Sequence, residues 1–255
     1  MHTRLLFFVS IASLTGTLCL APAAAQTSSV HLLVSNGLKG SMENLHAGCE
    51  ASVGHPLDIR YNSTASLKKS IEAGERFDVT MITTEAIEDL VKQGKLAADS
   101  KMSIGRSELG IGIKSGVSKP DIKTVDGLKK ALREVKSITY PQDGASRGYI
   151  EKMFERLGIA TEVKPKIILA PGSGPATQSV ADGKAGFVIT LFSEILPIKG
   201  VDVLGPLPGE FQSDIKFSAA ASAMASDKQA AKAVIACATG SKATPVMKAK
   251  GIDRK

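Results

Sequence analysis

Four short segments constrain the fold of this chain more than any other feature. Each runs from an apolar, strand-like stretch through a Gly/Ser/Thr/Asn loop directly into a helix. They are Asn36-Gly37-Leu38-Lys39, Asn62-Ser63-Thr64-Ala65, Asp143-Gly144-Ala145-Ser146-Arg147 and Pro171-Gly172-Ser173-Gly174. A helix N-terminus leaves backbone N–H groups unpaired and carries a partial positive charge, so each junction can donate hydrogen bonds to an anion. Small residues there allow a ligand close to the backbone. Two junctions lie early in the chain and two beyond its midpoint. This division predicts two lobes that offer helix starts to one small anionic ligand held between them.

The wider pattern agrees. Strands are expected at His31–Val34, Leu57–Tyr61 and Phe77–Ile82, each followed by a helix: 38–47, one from Ala65 that stops at Gly74, and Glu85–Gln93 capped by Thr83 or Thr84. Strand–helix–strand units with short loops imply a parallel sheet with helices on both faces. After a Gly-flanked strand at Leu109–Ile113, the alternation resumes through strands at Ser137–Tyr140, Ile167–Leu169 and Gly186–Thr190. Val201–Gly209 reads as a rigid extended crossing, and an Ala-rich strand near Phe217–Met224 precedes a helix at Asp227–Thr239. The economical division gives lobe I residues 26–107 plus 205–255 and lobe II residues 108–204, with a hinge at Gly105-Arg106 and Gly205-Pro206. In open parallel sheets a ligand sits beyond the carboxyl ends of the strands, where the four loops fall.

The start of the chain has a different character. Arg4, an apolar run from Leu5 to Leu20 and the small-residue end Ala21-Pro22-Ala23-Ala24-Ala25 mark a secretory signal peptide over 1–25, with cleavage after Ala25 and a periplasmic destination. No later stretch is apolar enough to span a bilayer, so the mature chain is expected not to be membrane-embedded. The net charge of +7 is spread over predicted helices, and aromatic residues make up 4% with no Trp. Nucleic-acid binding requires a concentrated basic stripe with stacking aromatics, and neither is present. His31, His46 and His55 are irregularly spaced and no CxxC or HExxH occurs, so no metal site and no cofactor is expected. Cys49 and Cys237 remain after cleavage. An exported protein permits a bridge between them, whereas their positions in two predicted helices favour buried free thiols.

Several motifs carry a family resemblance. Leu33-Val34-Ser35-Asn36-Gly37-Leu38, Asn62-Ser63-Thr64-Ala65-Ser66-Leu67, Ile71-Glu72-Ala73-Gly74 and Asp78-Val79 resemble the periplasmic molybdate-binding proteins of ABC importers. The resemblance implies the α/β type II periplasmic binding protein fold, two α/β lobes joined by a two-crossing hinge around an anion. It implies anion contacts at Gly37 and Thr64 in one lobe and near Ser146 and Ser173 in the other. Two positions depart from the molybdate pattern: Gly37 lacks the family's hydroxyl, and Leu191 falls near its ligand-facing Tyr. Gly105-Arg106-Ser107, Lys119-Pro120-Asp121-Ile122, Glu155-Arg156-Leu157-Gly158-Ile159, Ser193-Glu194-Ile195-Leu196-Pro197 and Gly205-Pro206-Leu207-Pro208 are similar to a branch without the molybdate residues. A periplasmic aconitate isomerase is similar to that branch.

The candidate ligand-binding set is therefore Asn36, Gly37, Lys39, Ser63, Thr64, Thr83, Arg106, Ser146, Arg147 and Ser173. Each junction alone is also what an ordinary helix cap requires, and each charge alone suits an exposed surface. Two functions follow. The first is a monomeric receptor that captures a small anion, a polycarboxylate before an oxyanion such as molybdate, for an inner-membrane ABC permease. The second is an isomerase that moves a proton along the allylic system of an unsaturated tricarboxylate such as aconitate, with Arg106 and Arg147 stabilising negative charge. Lys39, Glu194 and Tyr149 stay open as its base.

Overall fold

The computed structural model describes residues 28–254, so the expected leader over 1–25 lies outside the described residues. In chain order the elements are β1 (Val30–Ser35), α1 (Lys39–Val53), β2 (Leu57–Asn62), α2 (Thr64–Glu72), β3 (Val79–Thr83), α3 (Thr84–Lys92), β4 (Met102–Lys114) and α4 (Val125–Glu134). There follow β5 (Ile138–Pro141), α5 (Arg147–Arg156), α6 (Ala160–Val163), β6 (Ile167–Ala170), α7 (Ser173–Ala181), β7 (Phe187–Leu191) and α8 (Phe192–Ile195). The last are β8 (Val201–Leu204), β9 (Asp214–Ala221), α9 (Lys228–Thr239) and α10 (Thr244–Ala249).

The strands run in the order β2-β1-β3-β9-β4-β7-β5-β6, with β8 also paired to β4. β1, β2 and β3 are mutually parallel, as are β5, β6 and β7, and β9 and β4 lie antiparallel to their neighbours. β3 and β7 are buried at every position, as expected of strands covered by helices on both faces. β4 is longer than expected because it serves both halves. Its residues Met102–Glu108 pair with β9, while Leu109–Ile113 pair with β7. The expected crossing at Val201 is instead strand β8, which binds the Ile111–Lys114 end of β4. Four Val/Leu/Asp residues were legible as extended chain, but their pairing partner was not.

The core divides into two sets of clusters. One gathers β1, α1, β3, β9 and α9, with Val34, Met42, Met81, Phe217 and Val234 fully buried; Leu67, Ile71, Ile87 and Leu90 from α2 and α3 pack on the opposite face of this sheet. The other set packs Ile111, Leu132, Ile150 and Ile189 on one face of the second sheet and Ala176, Val180 and Ile195 on the other. Leu207 and Phe211 still belong to the second set, and the next large apolar residue, Ile215, belongs to the first. The chain thus changes sets between Phe211 and Ile215, later than the expected Gly205-Pro206.

Cys49 of α1 and Cys237 of α9 form a disulfide, with Cα atoms 5.7 Å apart. The reading as free thiols is corrected here. Both cysteines do lie in helices, but the two helices pack side by side across the first core.

Candidate functional site

Each junction is built by its local sequence. β1 ends at Ser35, whose Oγ accepts from the Gly37 N–H at 3.4 Å and caps a short turn leading into α1. A Cβ on residue 37 would stand 2.5 Å from the Phe217 ring, so glycine is required where the resemblance expects a serine. The hydroxyl is supplied two residues earlier, by Ser35. β2 ends at Asn62, whose Oδ1 accepts from the Ser63 N–H at 2.8 Å; Ser63 Oγ in turn accepts from the Ser66 N–H at 3.1 Å and caps α2. Thr64 Oγ1 donates to Ser35 Oγ and accepts from the Thr83 N–H, each at 3.4 Å, which joins the first two junctions to the end of β3. In the second half, β5 runs through Pro141 into the Asp143-Gly144-Ala145 turn, and β6 runs through Pro171-Gly172 into α7.

These four loops meet. Ser35, Asn36, Asn62, Ser63 and Thr64 from one half, and Pro141, Asp143, Gly144, Ala145, Pro171, Gly172 and Ser173 from the other, enclose an inner chamber of about 30 Å³ closed by Leu191, Glu194 and Phe217. An outer chamber of about 270 Å³ adjoins it and shares Asn36, Gly172, Ser173 and Glu194. Lys39, Glu43, Ser193 and Pro197 stand on its walls. A chamber the size of the inner one admits one small polar group, about the volume share of a single water.

Placed against this cleft, the ten candidates separate. Asn36, Ser63, Thr64 and Ser173 line the inner chamber and Lys39 the outer. Gly37 lies in the capped turn behind Ser35, and Thr83 reaches the site only through its N–H bond to Thr64. Ser146 is buried with its Oγ unpartnered, and it is Asp143, Gly144 and Ala145 of that loop that line the chamber. The two arginines are not brought to the cleft. Arg147 turns back on its own surroundings, donating to Glu151 at 2.8 Å and to the Gln142 carbonyl at 2.9 Å. Arg106 sits against Asp214 and Asp253, at 3.4 and 3.6 Å, in a separate hollow beside Lys248 and Arg254. Both follow the ordinary course of a long, partly exposed cation, which is to find a carboxylate at the surface. Tyr149 is exposed on α5 and lines neither chamber.

The inner chamber therefore presents hydroxyls and helix starts, with no lysine or arginine among the described residues that line it. It does present Glu194, on the one-turn helix α8 directly after β7. α8 sits close on β4 because Gly110 has no side chain: a Cβ there would stand 2.0 Å from the Phe192 ring. The Glu194 carboxyl accepts from the hydroxyls of Thr190 and Ser173 and from the Leu191 N–H. Burial pushes this carboxyl up and outweighs the three hydrogen bonds, which act in the opposite direction. In sequence Glu194 was only one of three open choices for a base, because its enclosure depends on both halves of the molecule.

The family described as bacterial extracellular solute-binding protein matches residues 30–253. The chain is similar to an aconitate isomerase from Pseudomonas sp, at 26% identity over 84% of this chain and 83% of that protein. It is also similar to the molybdate-binding protein ModA of Azotobacter vinelandii, at 25% identity over 91% and 92% of the two chains. Among solved structures, the Azotobacter vinelandii periplasmic molybdate-binding protein superposes with a TM-score of 0.75, covering 89% of this chain and 99% of that one at 19% identity. The chain belongs to the bacterial extracellular solute-binding protein family, on the two-lobed type II fold of its molybdate-binding-like members.

Proposed function

We propose that the protein is a periplasmic receptor that captures a small polycarboxylate between its lobes and delivers it to an inner-membrane ABC permease. The observation that carries the ligand class is the pair of chambers that share lining residues: a donor-lined inner space of about 30 Å³ and an outer space of about 270 Å³ with Lys39 on its wall. One carboxylate suits the inner donors, and a second, a few bonds away, suits the outer chamber and its cation. A compact oxyanion would leave the outer chamber and Lys39 unused. Similarity to an aconitate isomerase supports a carboxylate ligand, and membership of a solute-binding family supports the transport role.

A thermal-shift panel of citrate, trans-aconitate, molybdate, tungstate, sulfate and phosphate tests this reading. At a hundredfold excess over Kd, a ligand of the native state adds about 2.7 kcal/mol, which raises the Tm of a chain this size by roughly 5–10 °C. The tricarboxylates are expected to give such shifts and molybdate little. Lys39→Ala should weaken tricarboxylate binding by about tenfold, the size of one exposed charge-assisted contact. A strong molybdate shift with no tricarboxylate response refutes the ligand class.

One observation favours a second reading, catalysis. Among the described residues, Glu194 is the one titratable side chain that lines both chambers. An allylic proton shift in an unsaturated tricarboxylate requires a group that takes a proton from one carbon and returns it to another. Incubation of the protein with trans-aconitate, followed by chromatography of the cis isomer, separates the two readings. Turnover of many equivalents that is lost in Glu194→Gln supports the isomerase, and saturable binding without product supports the receptor.

A further inference from the structure

We infer that Glu194 shares a proton with the bound anion: it stands in the closed cleft as a carboxylic acid and presents its O–H to a ligand oxygen. This rests on the cleft being the anion site, as proposed above, and adds to it a group that makes binding depend on pH.

The acceptor side of Glu194 is already satisfied from within the protein, by the Thr190 and Ser173 hydroxyls and the Leu191 N–H. What the carboxyl has left to offer is a donor, and it faces the chamber. No lysine or arginine forms an ion pair with it among the described residues, so an ionised Glu194 would meet an arriving anion as a second uncompensated negative charge. The surroundings do not relieve that repulsion. From α1, Lys39 shares the outer chamber but pairs with Glu43 at 3.7 Å. From the loop after β5 comes Asp143, a further acid. Of the β4 groups, Arg106 is held by Asp214 and Asp253, Glu108 lies beside it in the separate hollow, and Lys114 lies at the far end of the strand beside Gly183. Asp202 of β8 is engaged by Ser115 and Lys119, Lys250 runs beside Gly40, and α7 and β7 contribute no titratable side chain. The raised carboxyl described above agrees with this arrangement.

The proton balance is simple. Where Glu194 is ionised before binding, one proton is taken from solvent, an O–H bond forms on the carboxylate, and that O–H donates to the ligand; no ligand bond breaks. Affinity is then full below the pKa of Glu194 in the free protein and falls up to about tenfold per pH unit above it, because only the protonated fraction is competent.

Calorimetric titration with trans-aconitate, molybdate and sulfate from pH 5 to pH 9, on wild type and Glu194→Gln, tests the inference. The glutamine keeps an N–H donor and cannot ionise, and titration of the ligand itself is common to both proteins. The wild type should lose affinity with rising pH relative to the variant, and should take up a proton in buffers of different ionisation enthalpy. Thr190→Val removes a donor that favours the charged form and should move the break to higher pH. Without any ligand, a carboxyl raised in the folded state makes stability fall as pH rises toward its folded pKa. The Tm of wild type should therefore drop relative to Glu194→Gln between pH 5 and pH 9. Equal affinity slopes for the two proteins, or a Tm difference that does not change with pH, overturn the inference and leave the receptor reading intact. Failure of every probe to bind either protein removes the receptor reading, and the inference with it.

Discussion

Ala145→Trp is expected to weaken anion binding by about 100-fold, or ~2.7 kcal/mol, with a Tm within a degree or two of wild type. Ala145 is exposed on the loop between β5 and α5 and faces the inner chamber. An indole has several times the volume of that space, which is about 30 Å³, so the halves cannot close over both a ligand and the new side chain. The fold should be indifferent, because the residue packs in neither core. Isothermal titration with the best tricarboxylate of the panel provides the measurement, and Ala145→Ser, which adds a small donor, should stay within a few-fold of wild type. Undiminished affinity in the tryptophan variant would place the ligand somewhere other than between the loops.

Replacing Cys49 and Cys237 together by serine is expected to lower Tm by about 5–15 °C. The bond closes a loop of 188 residues, and removal of such a constraint costs roughly 2–5 kcal/mol, with each kcal/mol moving Tm by about 2–4 °C at this size. Cys49 is fully buried, so its serine adds an unsatisfied hydroxyl to the cost. Dithiothreitol on the wild type should give most of the same shift, and binding at 25 °C should survive because neither cysteine lines the cleft. A change below 2 °C would mean that the two helices hold together without the bridge.

What the sequence revealed and what it hid follow one physical division. Junctions such as Asn62-Ser63-Thr64 were legible because capping is local: Ser63 reaches the Ser66 N–H three residues on, and a small polar residue ahead of an apolar helical pattern announces it. The meeting of four such loops was legible in turn because parallel strands put their helix starts at one end of the sheet. Charge was misleading. Arg147 stands in one of the right loops and Arg106 at the expected hinge, but a flexible cation goes to the nearest carboxylate, and Asp214, Asp253 and Glu151 lie outside the cleft. Glu194 and the disulfide were hidden for a common reason. Thr190 lies only four residues before Glu194, but Ser173 and the first-half loops that complete the chamber around the carboxyl, like the packing of α1 on α9, come from distant segments, and no spacing rule reports them.

The first core draws on Val30–Ile104 and Ile215–Ile252, with Leu191 added from β7, while the second is built from one continuous stretch, Leu109–Phe211. During synthesis the later-written half can therefore settle before the half that began first, which must wait for β9 to slot between β3 and β4. A chain cut short after Phe211 would carry half of a binding crevice, with its other wall left as an unfinished sheet.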